Sequence, residues 1–228
     1  MEHYDINGKY SYTLGMSISI ELINNHPELV SKVYYSSRMN INENYDKLKK
    51  LCEKHHIELI NDDHVIDSLS VKENCYVIAV FRKFINELRS PNHLVIYGHD
   101  DEGALGTILR TAVSFNHRDI ILINNHTDYF NPKVVRASMG AVFYTNIKRY
   151  SSVDEYLNDY PSRHIYSISN EGDTELSDVT YEEPYSLVYG YDIGSKIYIS
   201  HNNSKKISDP LLFAISLHHF YSESKRKR

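Results

Sequence analysis

The stretch from Leu94 to Phe115 constrains this chain most. Leu94, Val95, Ile96 and Tyr97 form an apolar run short enough for a buried strand, closed by Gly98. From Leu105 to Phe115 the apolar residues return at helical spacing. Between and across them, Asp101 to Ala112 reads Asp-Glu-Gly-Ala-Leu-Gly-Thr-Ile-Leu-Arg-Thr-Ala. The segment is therefore read as strand, loop, helix. Gly103 and Gly106 permit a tight turn or the close approach of a ligand, and Arg110 lies one helical turn beyond Gly106. A guanidinium near a helix N-terminus suits a phosphate or another anion. A plain surface charge is the competing reading of Arg110. No phosphate-loop lysine follows the glycines, and their spacing is not that of a dinucleotide fingerprint.

From Leu94 onward strand-like and helix-like segments alternate, which specifies an α/β class with a mainly parallel sheet. Ile120 to Ile123 is the next strand, and after it comes Asn131-Pro-Lys-Val-Val-Arg-Ala-Ser-Met-Gly-Ala-Val-Phe143. Val153 to Asp159 reads as a helix and His164 to Ser169 as a strand. Glu171 to Glu183 carries six carboxylates and no Lys or Arg, and is read as a solvated loop. Tyr185 to Tyr189 and Ile197 to Ile199 are further strands; Pro210 to Tyr221 is a helix with Asp209 as N-cap. Residues 1–90 form a smaller α/β unit. Its segments are helical Ser17 to Ile23, strand Val30 to Tyr35, helical Asn44 to His56, strand Glu58 to Ile60, helical Val65 to Leu69 and strand Tyr76 to Phe81. Phe84 to Pro91 reads as a linker.

The Gly106-Thr-Ile-Leu-Arg-Thr-Ala112 segment and the Lys133-Val-Val-Arg-Ala-Ser-Met-Gly-Ala-Val-Phe143 segment lie in this order with a strand between them. Together they resemble the first two motifs of the SpoU/TrmH family, RNA 2'-O-ribose methyltransferases of the SPOUT superfamily. The resemblance implies a ribosomal-protein-like RNA substrate-binding domain with linker over 1–90 and a SPOUT methyltransferase domain with a C-terminal trefoil knot over 91–228. It implies S-adenosylmethionine as cofactor, ribosomal or transfer RNA as substrate, and a homodimer. By motif position Arg110 takes the place of the catalytic arginine, while Lys133, Arg136 and Ser138 fall at RNA-contacting positions. Gly190, Asp192, Ile199, Ser208 and Asp209 fall where the third motif grips the cofactor. Departures cluster there: Ala104 replaces the first motif's Asn, Gly190-Tyr191-Asp192 stands for Gly-Asn-Glu, Ile199-Ser200-His201 for Ile-Pro-Met, and Ile207-Ser208-Asp209 for Ser-Leu-Asn. A relative that keeps the fold and binds RNA or a protein partner without transferring methyl groups stays open as a second reading.

Composition narrows the setting. At 228 residues and 41% hydrophobic content the chain can bury one sizeable core or two smaller ones. No apolar run approaches a membrane span and no signal-peptide pattern opens the sequence, so no membrane partner and a cytoplasmic location are expected. Cys52 and Cys75 lack metal or redox spacing, and the 13 histidines include no His-x-x-x-His pair with a nearby carboxylate, so no metal is expected. His99, beside Asp100 and Asp101, is a candidate general base. The net charge of -5 means that RNA contacts must come from local groups: Lys133 with Arg136, Lys148 with Arg149, Lys205 with Lys206, and the tail from Lys225 to Arg228. Twenty tyrosines and no tryptophan supply strand and core residues, and faces on which bases can stack.

Overall fold

The computed structural model describes residues 4–70, 74–98, 100–200 and 207–226, and resolves into two compact units. The first comprises residues up to Phe84 together with Asp128–Tyr144; the second comprises Ile85–Thr127 and Thr145 onward.

The first unit is built on a four-stranded sheet. Its strands β1 (Tyr10–Tyr12), β2 (Val30–Tyr35), β3 (Leu59–Asn61) and β4 (Val77–Arg82) run in the order β1-β4-β2-β3. β4 pairs antiparallel with β1 and β2 and is buried from Val77 to Phe81, as a central strand with two covered faces should be. Helices α1 (Met16–Asn25), α2 (Glu43–Lys54) and α3 (Asp63–Leu69) fill out the unit. Asn42 caps α2 by accepting from the Asn44 and Tyr45 amides, and Asp62 caps α3 through the Val65 amide. Val65, Ile66 and Leu69 of α3 pack on Tyr12, Ile78 and Val80 of the sheet.

Helix α5 (Pro132–Ala137), with Pro132 at its start and Asn131 as N-cap, belongs to this first unit. The expected division at residue 90 placed it with the second. Ring contacts supply the physical reason: Phe81 of β4 meets Phe143 edge-on at 5.4 Å and Phe130 at 5.6 Å, and Phe130 also packs on Phe84 at 4.8 Å. Polar contacts reinforce them. Ser11 donates to the Phe130 carbonyl at 2.5 Å, and Lys83 pairs with Asp128 at 2.7 Å with both side chains about 85% buried.

The second unit is a seven-stranded sheet in which every pairing is parallel. Its strands are β5 (His93–Tyr97), β6 (Asp119–Ile123), β7 (Asn146–Tyr150), β8 (His164–Ile168), β9 (Thr174–Glu175), β10 (Tyr185–Tyr189) and β11 (Ser195–Tyr198). Their order is β7-β6-β5-β10-β8-β11-β9, so β10 sits between β5 and β8. Helices α4 (Glu102–Ser114), α6 (Val153–Asp159) and α7 (Asp209–Arg226) accompany it, with α4 packed on α7. Two readings change. Ser208, whose carbonyl accepts from the Leu211 and Leu212 amides, precedes α7, and Asp209 is its first helical residue rather than its cap. The acidic stretch contains β9, a short 3-10 turn over Leu176–Asp178, and three anchors, Leu176, Val179 and Tyr181, that are buried.

Candidate active site

All strands of the second unit point the same way, so the loops leaving β5, β6 and β10 emerge along one edge, where open α/β sheets bind ligands. Three of these turns need a left-handed backbone. Gly98 follows β5 at φ +68°, Asn124 follows β6 at φ +47°, and Gly190 follows β10 at φ +85°. Among the described residues, a Cβ built on Gly98 meets nothing within 4 Å. Gly194 is different: at φ +69°, its Cβ would lie 2.4 Å from the Ile165 carbonyl oxygen, so only glycine lets this turn pass β8.

The loops after β5 and β6 are stitched together by long-range polar contacts. Asp100 accepts from the His126 amide at 2.7 Å, and its own carbonyl accepts from the Thr127 hydroxyl at 2.7 Å. Arg149 of β7 donates to the Asn125 carbonyl at 2.6 Å and to the Thr127 carbonyl. The Gly98 amide donates to Ile123, and the Asn124 amide to Tyr150. Sequence reasoning did not identify Asp100 or Arg149 as organisers, because their partners are carbonyls remote in sequence.

Helix α4 starts at this edge. Asp101 caps it through the Ala104 amide at 2.6 Å, so the helix starts earlier than Leu105 and takes in Gly103 as well as Gly106. Gly106 is buried in the packed face with Leu105, Ile108 and Leu109. Arg110 lies on the exposed face, eight residues past the first helical residue, or about 12 Å along the axis. Among the described residues its guanidinium has no hydrogen-bond or ion-pair partner.

The loop leaving β10 brings Gly190, Tyr191 and Asp192 together. Tyr191, 41% exposed, lays its ring 4.7 Å from that of Tyr97 at the end of β5. Asp192 pairs with Lys196 at 3.4 Å, both well exposed. Ile199 follows β11 half-buried, and Ser208 is exposed at the start of α7. His99, His201, Lys205, Lys206, Lys227 and Arg228 lie outside the described residues, as does the side chain of Asp209.

The second-motif residues lie on α5 of the first unit. Lys133 is exposed and Arg136 half-buried, near enough to Cys75 to favour its thiolate against burial, which dominates and pushes the thiol up. Ser138 differs from its expected place as a substrate contact: it is wholly buried and donates its hydroxyl to the Val135 carbonyl at 2.9 Å, closing the helix. Met139 and Gly140 then turn the chain with φ +53° and +83°. A Cβ on Gly140 would stand 3.2 Å from Glu21 and 3.6 Å from Ile18 of α1, so the glycine of this motif is a packing requirement.

Among the described residues, no cluster of three or more His, Cys, Asp or Glu is placed to hold a metal, and no helix is long and apolar enough to cross a membrane.

The sequence profile of the SpoU rRNA Methylase family matches residues 91–192. This matched segment, a little under half of the chain, is similar to the SpoU methylases. Solved SpoU-type structures share its fold at low identity. The SpoU methyltransferase AviRb from Streptomyces viridochromogenes, in complex with AdoMet, is similar with a TM-score of 0.81 at 15% identity, covering 96% of this chain and 92% of that one. An AdoMet-bound rRNA methyltransferase from Sinorhizobium meliloti gives 0.76 at 17%, covering 96% and 88%. An RNA 2'-O ribose methyltransferase gives 0.76 at 16%, covering 95% and 90%. No curated protein matches the chain in sequence. The SpoU/TrmH profile ends at Asp192, so it takes in the β10 turn but stops before β11 and α7.

Proposed function

We propose that the chain transfers a methyl group from S-adenosylmethionine to a ribose 2'-hydroxyl of ribosomal or transfer RNA. The observation that carries this reading is Arg110: an exposed guanidinium without a partner among the described residues, on a helix that starts where the glycine turns open. The turns fit the cofactor. The space beside Gly98, the exposed backbone at Gly190 and the carboxylate of Asp192 are the groups that would meet it. Ile199, Ser208 and Asp209 would complete its cradle by motif position. When bound, the cofactor would supply an electrophilic methyl group on a sulfonium that departs as a neutral sulfide, so the protein's task is alignment. Arg110 would clamp a neighbouring phosphate and favour negative charge developing on the 2'-oxygen. A guanidinium stays protonated and is unsuited to act as the base, so the 2'-hydroxyl proton would pass to solvent water. Lys133 and Arg136 would contact RNA phosphates, and Ser138 would hold the end of the helix that carries them.

The same reading includes a trefoil knot in the C-terminal part, a homodimer, an RNA-binding role for the N-terminal residues and a cytoplasmic setting. A second reading, a fold-retaining binder without methyl transfer, is favoured by the Tyr191 ring lying on Tyr97 beside the glycine turn. Calorimetric titration with S-adenosylmethionine and S-adenosylhomocysteine separates the two. One-to-one binding, kept in Arg110→Ala while methyl incorporation into RNA is lost, is the expected result. No binding at millimolar ligand by the folded protein selects the binder.

A further inference from the structure

We propose that the first unit holds a nucleotide-binding pocket, on the face of its sheet that α3 covers only in part, which takes one unpaired base of single-stranded RNA. The proposal rests on the RNA-directed reading above and adds to it a site with its own residues.

The pocket follows from the shortness of α3. Register places Tyr12, Val80 and Lys32 in one row across β1, β4 and β2, with Tyr10 and Tyr34 in the rows on either side. Seven residues of helix cover only part of that face, through Val65, Ile66 and Leu69 packed on Ile78, Tyr12 and Val80. The remainder opens as a cavity of about 510 Å³. Its floor is Tyr12, Val80, Val65 and Tyr34; Tyr4 and Tyr10 also line it, together with Lys9, Lys32, Ser11, Ser31 and Asp5. That volume is within the range of small-ligand sites.

The lining has the chemistry of a base pocket. Tyr10 is 48% exposed, so its ring is open to a ligand from the mouth of the cavity. Tyr10 supplies an exposed face for stacking within a lining that also holds Tyr4, Tyr12 and Tyr34, and two lysines supply charge for a phosphate, the combination that holds unstacked single strands. The wall is fixed in advance. Lys83 donates to the carbonyls of Asp5 and Ile6 and to the Tyr4 hydroxyl, at 3.1, 2.9 and 3.2 Å, while its pair with Asp128 anchors it. The Gly8 amide closes the turn on the Asp5 carbonyl at 3.0 Å. Tyr12 is held too, its hydroxyl accepting from the Tyr4 amide. Among the described residues Asp5 is the one carboxylate in the lining, and Glu58 pairs with Lys32 at 3.2 Å in an exposed contact that a phosphate can displace.

The test is fluorescence anisotropy of the full chain with labelled single-stranded decamers of uridylate and of adenylate. Tyr10→Ala should weaken binding about tenfold and Tyr10→Phe should leave it unchanged, since stacking needs the ring and not the hydroxyl. Lys32→Gln should weaken binding and reduce its salt dependence by about one ion. Wild-type affinity in both Tyr10→Ala and Lys32→Gln, or no binding of either decamer by the wild type, overturns the pocket. S-adenosylmethionine titration of the same preparations keeps the questions apart. Tyr10→Ala should bind it as wild type does. Loss of cofactor binding in the wild type together with a Tyr10-dependent decamer affinity would overturn methyl transfer and leave the pocket standing.

Discussion

His93 shows how far one side chain can be taken out of its ordinary chemistry. It is 1% exposed at the start of β5, and burial, helped by the positive field of Arg163, holds its pKa down at about 4. Its Nδ1 lies 3.0 Å from the Tyr156 hydroxyl, which meets Ser186 at 2.6 Å, so the neutral ring is built into a polar chain. The unfolded ring titrates near 6.5, so on acidification the unfolded state takes up the proton first. This site's contribution is therefore intact above about 6.5 and declines as pH falls toward about 4, by on the order of 3 kcal/mol. Urea unfolding at pH 7 and pH 4.5 should show a smaller loss in His93→Gln than in the wild type. Gly194 makes a second prediction at this scale. Its positive φ and the 2.4 Å approach to Ile165 mean that Gly194→Ala should cost about 3 kcal/mol, visible as a lower urea midpoint. The sequence displayed Gly194 beside Gly190 but not which of them lies against a neighbouring strand, because that depends on β8 lying alongside.

At the scale of elements, most of what periodicity can specify was legible. Strand runs such as Ile120 to Ile123 are apolar because a parallel sheet is covered on both faces, and α2 shows charge opposite Leu48 and Cys52. β1 was missed: Tyr10, Ser11 and Tyr12 carry no apolar run, and Ser11 is buried only because its hydroxyl finds the Phe130 carbonyl. Leu176, Val179 and Tyr181 were hidden among six carboxylates, each too isolated to form a pattern. At the candidate site the glycine turns and Arg110 could be read locally, whereas the loop framework made by Arg149 could not. Arg149→Met should leave β7 in place but free the segment 124–127, because two carbonyls lose their donors. Hydrogen exchange of the Asn124 to Thr127 amides should then rise at least tenfold, with the β7 amides unchanged.

For the whole molecule, the two units are discontinuous in sequence, and this limits how the chain can be divided. Asp128–Tyr144 belongs to the first unit, held by Phe130 and Phe143 around Phe81 and by the Lys83–Asp128 pair. Breaking that pair in Lys83→Met should cost about 3 kcal/mol, because Asp128 is left about 85% buried without a counter-charge. Expression of residues 85–228 alone should give aggregating material, since Phe130, Val134, Val135 and Phe143 lose the partners that bury them. A soluble monomer with native far-ultraviolet dichroism would contradict this. The familiar order of the two family motifs hides the division, since the second motif follows the first by about twenty residues and yet folds with residues far upstream.

The position of β10 also sets a timetable for synthesis. Its five buried residues, Tyr185–Tyr189, are the bridge between β5 and β8, yet the first of them is made 88 residues after Tyr97 ends β5. Until then β5, β6 and β7 can associate only as a partial sheet, with the inner edge of β5 unpaired and apolar. The nascent protein must protect that edge, alone or with a chaperone, for about four to eighteen seconds at ordinary elongation rates. Yield in a heterologous host should therefore depend on translation speed and growth temperature more than on the stability of the finished fold.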